Sequence, residues 1–150
     1  MPQSLSQLFV HLVFSTKHRA PIIPDAIREE LHAFLIGVLR ERDCPSLMIG
    51  SVEDHVHILF VLSKNISLSK IAGEVKAVSS KWIKSKGPAL QAFQWQNGYG
   101  AFSVSQSNVE TVRRYIANQK QHHQKTSFQD ELRKFLEKHN LEYDERYLWD

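Results

Sequence analysis

The sequence predicts an α+β domain: a single antiparallel sheet in the chain order β-α-β-β-α-β, followed by further helices. Two observations carry this. Strand-sized apolar runs stand at 8–14 (LFVHLVF), 46–52 and 55–62 (HVHILFVL). Longer stretches with apolar residues at helical spacing separate the first run from the second, and the third from a later short strand.

Taken in order, the first strand falls within 4–15, bounded by polar residues. A helix follows over 24–42, with Pro24 and Asp25 in its first turn and Ile27, Leu31, Phe34, Leu35 and Val38 on one face. Arg40 and Arg42 suit its C-terminal end, and Pro45 stops it. Strands over 46–52 and 55–62 are joined by a short turn at Glu53-Asp54. Ser67 caps a second helix whose apolar face is Leu68, Ile71, Ala72, Val75, Val78 and Trp82, and Gly87-Pro88 ends it. A fourth strand is expected over 100–105.

The capping box Ser107-Asn108-Val109-Glu110 predicts a third helix running to about Lys125. A second box, Thr126-Ser127-Phe128-Gln129, predicts a short fourth helix bearing Phe128, Leu132, Phe135 and Leu136. The tail, 141–150, is acidic and aromatic, with Tyr143, Tyr147 and Trp149. The strand and helix order is the split βαβ, ferredoxin-like and RRM-like arrangement. Helices then cover one face of the sheet, and the other face needs a separate cover.

Composition narrows the class. The chain has 150 residues, 42% of them apolar and 23% charged, which excludes a disordered or collagen-like chain and suits one domain. Cys44 is the only cysteine, which excludes a disulfide framework or a Cys-rich zinc module. No apolar stretch reaches the ~18 residues of a membrane span, and the N-terminus lacks signal-peptide features. A soluble, cytoplasmic protein is expected. Charge is uneven along the chain: residues 1–126 hold 15 Lys and Arg against 9 Asp and Glu, whereas 127–150 hold 4 against 7. Six lysines between 64 and 86 face one acid, Glu74, a stripe that suits a polyanion or a solvated helix face equally well.

Two segments carry chemistry. On the third strand, His55 and His57 share a face with Leu59 and Val61, their Cα atoms about 7 Å apart given the strand rise. That spacing lets both rings converge on one metal ion, or leaves a pair of core histidines with a shared partner. On the third helix, Tyr115 and Gln119 stand one turn apart on one face. A tyrosine is a possible covalent nucleophile and a glutamine carbonyl a neutral oxygen ligand; the alternative is a half-buried packing tyrosine beside a solvent-facing glutamine.

Together these segments resemble the HUH single-tyrosine transposases, small insertion-sequence enzymes that move DNA as single strands. The resemblance covers nearly the whole chain: the opening LFVHLVFSTKHRAPII, the EDHVHILF core, the WQNGYGAFSVS region and the VRRYIANQKQHH helix. It implies that residues 1–126 form the catalytic domain, with 127–150 a helix and tail of the same domain. By position it implies that His55, His57 and Gln119 hold a divalent metal, Mg²⁺ or Mn²⁺, and that Tyr115 is the nucleophile. It further implies a homodimer with composite active sites, single-stranded DNA with hairpins at element ends as substrate, and a prokaryotic, nucleoid-associated location. No nucleotide cofactor is expected, since no phosphate-binding loop motif is present.

Candidate DNA contacts are Lys70, Lys81 and Lys84 on the second helix, Lys17 and Arg19 after the first strand, and Arg113 and Arg114 beside Tyr115. Trp95, Tyr99 and Phe102 are candidates for base stacking, with core packing favoured for Phe102. His122 and His123 read as surface residues. Two other functions fit parts of the pattern. A non-catalytic RRM-like module would account for the strand order, and a metal phosphoesterase using water would account for the histidines alone.

Overall fold

Alternation along the first and third strands decides the layering. In the computed structural model, which describes residues 2–123, 125–146 and 148–150, these are β1 (Leu8–Ser15) and β3 (His55–Leu62). Tyr147 of the tail lies outside the described residues. With β2 (Ser46–Ser51) and β4 (Gly100–Val104) they form one sheet in the order β2-β3-β1-β4, every neighbouring pair antiparallel. This is the split βαβ order predicted from the chain.

Val10, Leu12, Phe14, Val56, Ile58 and Phe60 point to one face. There they pack on α1 (Asp25–Glu41) and α2 (Leu68–Lys84) through Leu31, Leu35, Leu39, Ile71 and Val75. The Ser67 hydroxyl caps α2 by accepting from the Lys70 N–H, as its position predicts.

The opposite face carries Phe9, His11, Val13, His55, His57 and Leu59. Two helices of the same chain cover it. α3 (Val109–Ala117) lays Val109 and Ile116 on Phe9 and Leu59, and α5 (Phe128–Lys138) lays Phe128, Leu132 and Leu136 on Val13 and Phe102. Gly50 on β2 lets α3 come close, since a Cβ there would collide with the Ile116 carbonyl.

The second cover differs from expectation in three ways. The predicted third helix is interrupted at Asn118 (φ −99°, ψ 19°) and restarts as α4 (Gln119–His122). Ser107 does not cap it: a 3₁₀ turn over Gln106–Asn108 precedes α3, and the Ser107 hydroxyl meets that of Ser105 instead. The cap of α5 is Ser127, which accepts from the Asp130 N–H, one residue later than the predicted box. Among the described residues no helix is long and apolar enough to cross a membrane.

Candidate active site

The strand register builds the floor of the site. His57 stands between Val13 of β1 and Gly50 of β2, and His55 lies opposite Ser15. Both imidazoles are wholly buried. They point between α3 and α5, which deliver Tyr115 and Glu131, while the segment between those helices delivers Gln119, His122 and His123. Ligand atoms of His55, His57, His123 and Glu131 all lie within 4.8 Å of one another.

Glu131 is the hub. Its Oε1 lies 2.8 Å from His57 Nε2 and 3.5 Å from His55 Nε2. Its Oε2 lies 3.1 Å from His123 Nε2 and 3.2 Å from His122 Nε2, and accepts a hydrogen bond from the Tyr115 hydroxyl. His55 Nε2 stands 3.0 Å from His123 Nε2 and 3.4 Å from Gln119 Oε1. The far nitrogens are held as well. His55 Nδ1 donates to Asp54 Oδ1 (2.7 Å) and His123 Nδ1 to the Thr126 carbonyl (2.6 Å). Such outer partners fix the rings of metal-binding histidines. His57 Nδ1 meets His11 Nε2 at 2.7 Å, so a buried histidine of β1 orients a histidine of β3.

The electrostatics follow from burial and from Glu131. Burial pushes the His55 pKa down, but the bonds to Asp54 and Glu131 outweigh it and raise the value to about 9. His57 goes the other way, to about 4: burial dominates, and the bond to Glu131 only partly offsets it. His11, buried and facing His57, falls to about 3. Burial would raise the Glu131 carboxyl, yet the hydrogen bonds from His123, His55 and His57 hold it far below the usual carboxylate range. Burial, and then the negative charge of Glu131, push the Tyr115 phenol well above its ordinary value. A buried anion ringed by imidazoles, with a phenol that resists ionising, is a setting that fits a divalent cation. The residues present can hold one.

The predicted residues separate into two groups. His55, His57, Gln119 and Tyr115 meet in one place: Gln119 is buried, and the Tyr115 ring centroid lies 5.9 Å from that of His57. The candidate DNA contacts are dispersed. Lys70, Lys81 and Lys84 are exposed on α2, on the layer opposite the histidines. Lys17 is half-buried beside Lys76, and the Arg19 guanidinium lies 5.5 Å over the Trp149 ring of the tail. Arg113 and Arg114 both reach Glu110 on their own helix.

Several expectations are corrected. His123 is not a surface residue, its side chain being 8% exposed and turned into the cluster, while His122 is half-exposed at its rim. Trp95 is buried edge-on against Phe14 and Phe93 and donates to the Ser79 hydroxyl, so it offers no face to a base. Phe102 is core, and Tyr99 remains accessible. Glu131 and His11 were missed as site residues. Both had a signal. Glu131 sits inside the apolar stripe of its helix, between Phe128, Leu132 and Phe135, and His11 interrupts a buried strand. His122 and His123 follow Tyr115 and Gln119 at helical spacing.

A split βαβ sheet with two buried strand histidines, a carboxylate and a tyrosine converging on the face that α3 and α5 cover defines a metal-capable, tyrosine-bearing site. Residues 4–119 match the family described as "Transposase IS200 like", and the chain belongs to that family. Solved structures share the fold. A protein from Deinococcus radiodurans R1 classed as a transposase aligns with a TM-score of 0.62 at 21% identity, over 79% of this chain and 98% of that one. A REP-associated tyrosine transposase bound to a REP hairpin aligns with a TM-score of 0.58 at 14% identity, over 82% of this chain and 72% of that one. No curated protein matches the chain in sequence.

Proposed function

We propose that this transposase cuts and rejoins single-stranded DNA through a 5′-phosphotyrosine at Tyr115, with a divalent cation held at His55, His57 and Gln119. The observation that carries the reading is the Tyr115 hydroxyl, seated beside the buried histidine pair and bonded to Glu131. His55 and His57 are presented as a pair because β3 is hydrogen-bonded to strands on both sides and their outer nitrogens are tied to Asp54 and His11. When bound, the cation supplies positive charge that offsets Glu131 and the scissile phosphate and holds that phosphate in place.

Tyr115 Oη attacks phosphorus and gives up its proton as the P–Oη bond forms, while the hydrogen bond to Glu131 positions the hydroxyl. The P–O3′ bond breaks, and the leaving 3′ oxygen takes up a proton to become a free hydroxyl. The ester keeps the bond energy of the phosphodiester, so the 3′-OH of another strand reverses the step without ATP. Hairpin DNA is the substrate form we infer, supported by the REP hairpin held by a structural neighbour. Arg113 and Arg114 beside Tyr115, Lys17 and Arg19 after β1, and Lys70, Lys81 and Lys84 on α2 are the proposed phosphate contacts. A homodimer whose composite sites join the histidines of one copy to Tyr115 of the other is part of the reading.

Labelled single strands from the DNA flanking the gene, incubated with Mg²⁺ or Mn²⁺ and run on a denaturing gel, test this. Wild type should carry label with the protein, and Tyr115→Phe should lose the adduct while still binding hairpins. Cleavage by Tyr115→Phe at the wild-type rate, leaving free DNA ends, sinks the nucleophile assignment and points to a phosphoesterase that uses water. Mixing Tyr115→Phe with His57→Ala restores the adduct only if the tyrosine acts on a partner's histidines.

A further inference from the structure

The cluster is richer in nitrogen than a His-His-Gln set, and one of its contacts cannot stand without a cation or proton between its two nitrogens. Asp54 offers a carboxylate and Thr126 a carbonyl, both acceptors, so the Nδ1 atoms of His55 and His123 must carry hydrogens. The Nε2 atoms then face each other at 3.0 Å inside the protein, and only a proton or a metal cation can lie between them. Lone pairs at that distance repel unless something positive joins them.

Spacing agrees with that demand. Four donors around one ion at 2.0–2.2 Å sit roughly 3.3 Å apart. His55 Nε2 lies 3.0 Å from His123 Nε2, and the nearer Glu131 oxygen lies 3.5, 2.8 and 3.1 Å from His55, His57 and His123. The four ligand atoms all fall within 4.8 Å of one another. These residues come from β3, from the turn after α4 and from α5, so three separate parts of the fold aim ligand atoms at one point. Mg²⁺ favours six oxygens and keeps its waters, whereas imidazole suits transition ions, Mn²⁺ the most weakly and Co²⁺, Ni²⁺ and Zn²⁺ more tightly.

We propose that His123 and Glu131 join His55 and His57 as direct ligands, making a nitrogen-rich centre that selects a transition ion over Mg²⁺. This rests on the functional reading above and extends it to two residues outside the expected ligand set. Glu131 then links ion and nucleophile, since one of its oxygens faces the strand histidines and the other bonds the Tyr115 hydroxyl.

Titration calorimetry on the full-length, chelator-stripped protein tests the proposal without DNA, using Zn²⁺, Mn²⁺ and Mg²⁺ in turn. One Zn²⁺ per chain should bind, Mn²⁺ should compete for the same site, and Mg²⁺ should bind at least about 100-fold more weakly. Glu131→Gln and His123→Gln should each weaken Zn²⁺ by about tenfold or more, with circular dichroism showing retained fold. Wild-type affinity in both Gln variants, or Mg²⁺ binding as tightly as Zn²⁺, overturns the proposal. The functional reading fails separately, by the adduct assay. Should both Gln variants lose their fold, His123→Asn and Glu131→Asp give the same readout from shorter side chains that keep a donor atom.

Discussion

At the scale of single residues the site is organised by pairs in which one side chain decides what another can do. His11 is the clearest case outside the ligands. Its Nε2 and the Nδ1 of His57 lie 2.7 Å apart with room for one hydrogen, so the tautomer of His11 sets whether His57 Nε2, the nitrogen facing Glu131, carries a hydrogen or a lone pair. The ring is wedged by Phe135 at 5.1 Å, nearly edge-on, and cannot turn away. His11→Phe keeps the volume and removes the partner. It should weaken Zn²⁺ binding by about 10–100-fold, the usual cost of losing an outer-shell partner. His11→Gln, which retains a hydrogen-bonding group, should recover part of that loss. Equal affinity in wild type and His11→Phe would reduce His11 to a packing residue.

At the scale of elements the question is how α3 and α5 come to rest on the histidine face. Close approach of α3 depends on Gly50, the register partner of His57, because any Cβ there meets the Ile116 carbonyl. Gly50→Ala should destabilise the protein by about 1–3 kcal/mol through forced displacement of a packed helix, read as a lowered urea midpoint. It should also slow adduct formation by shifting Tyr115, one residue from the contact. Unchanged urea midpoint and adduct rate would show that α3 is not held there. The elements that pack on α1 and α2 were legible in the sequence almost to the residue, because strand alternation and helical spacing both report burial against one continuous core. The second cover was less so. Its helices are short, α3 stops at Asn118 without a proline or glycine to announce it, and α5 was visible as a helix but not as a lid. Periodicity shows that a helix has an apolar face; it does not say which sheet face receives it. His55, His57, Tyr115 and Gln119 were found because motif and family resemblance pointed to them. Glu131 was passed over because an acid in an apolar stripe reads as an interruption until the histidines it meets are known.

For the whole molecule, the outcome is a sheet whose two faces are held by different physics. The α1–α2 side is an apolar core of ordinary kind, closed by side chains that have no use for a ligand. On the α3–α5 side, apolar clusters flank a buried carboxylate among four histidines and a tyrosine, and α5 is tied to the sheet partly through that polar knot. Without a cation the knot relies on a proton: His55, raised to about 9, carries the positive charge that its neighbours require. A divalent ion would replace it with a stronger bond joining β3 to α5, so ion occupancy and fold stability must be linked. An ion that binds only the folded chain at 100 times its Kd adds about 2.7 kcal/mol. For a domain of 150 residues this corresponds to a rise in Tm of about 5–10 °C. Thermal unfolding followed by circular dichroism should show that rise on adding Zn²⁺ to chelator-stripped protein, and excess chelator should reverse it. Glu131→Gln should remove about half of the shift or more, because the neutral amide neither draws the ion nor joins α5 to the strand histidines through it. A Tm indifferent to Zn²⁺ in the wild-type chain would mean that α5 is held by its apolar face alone.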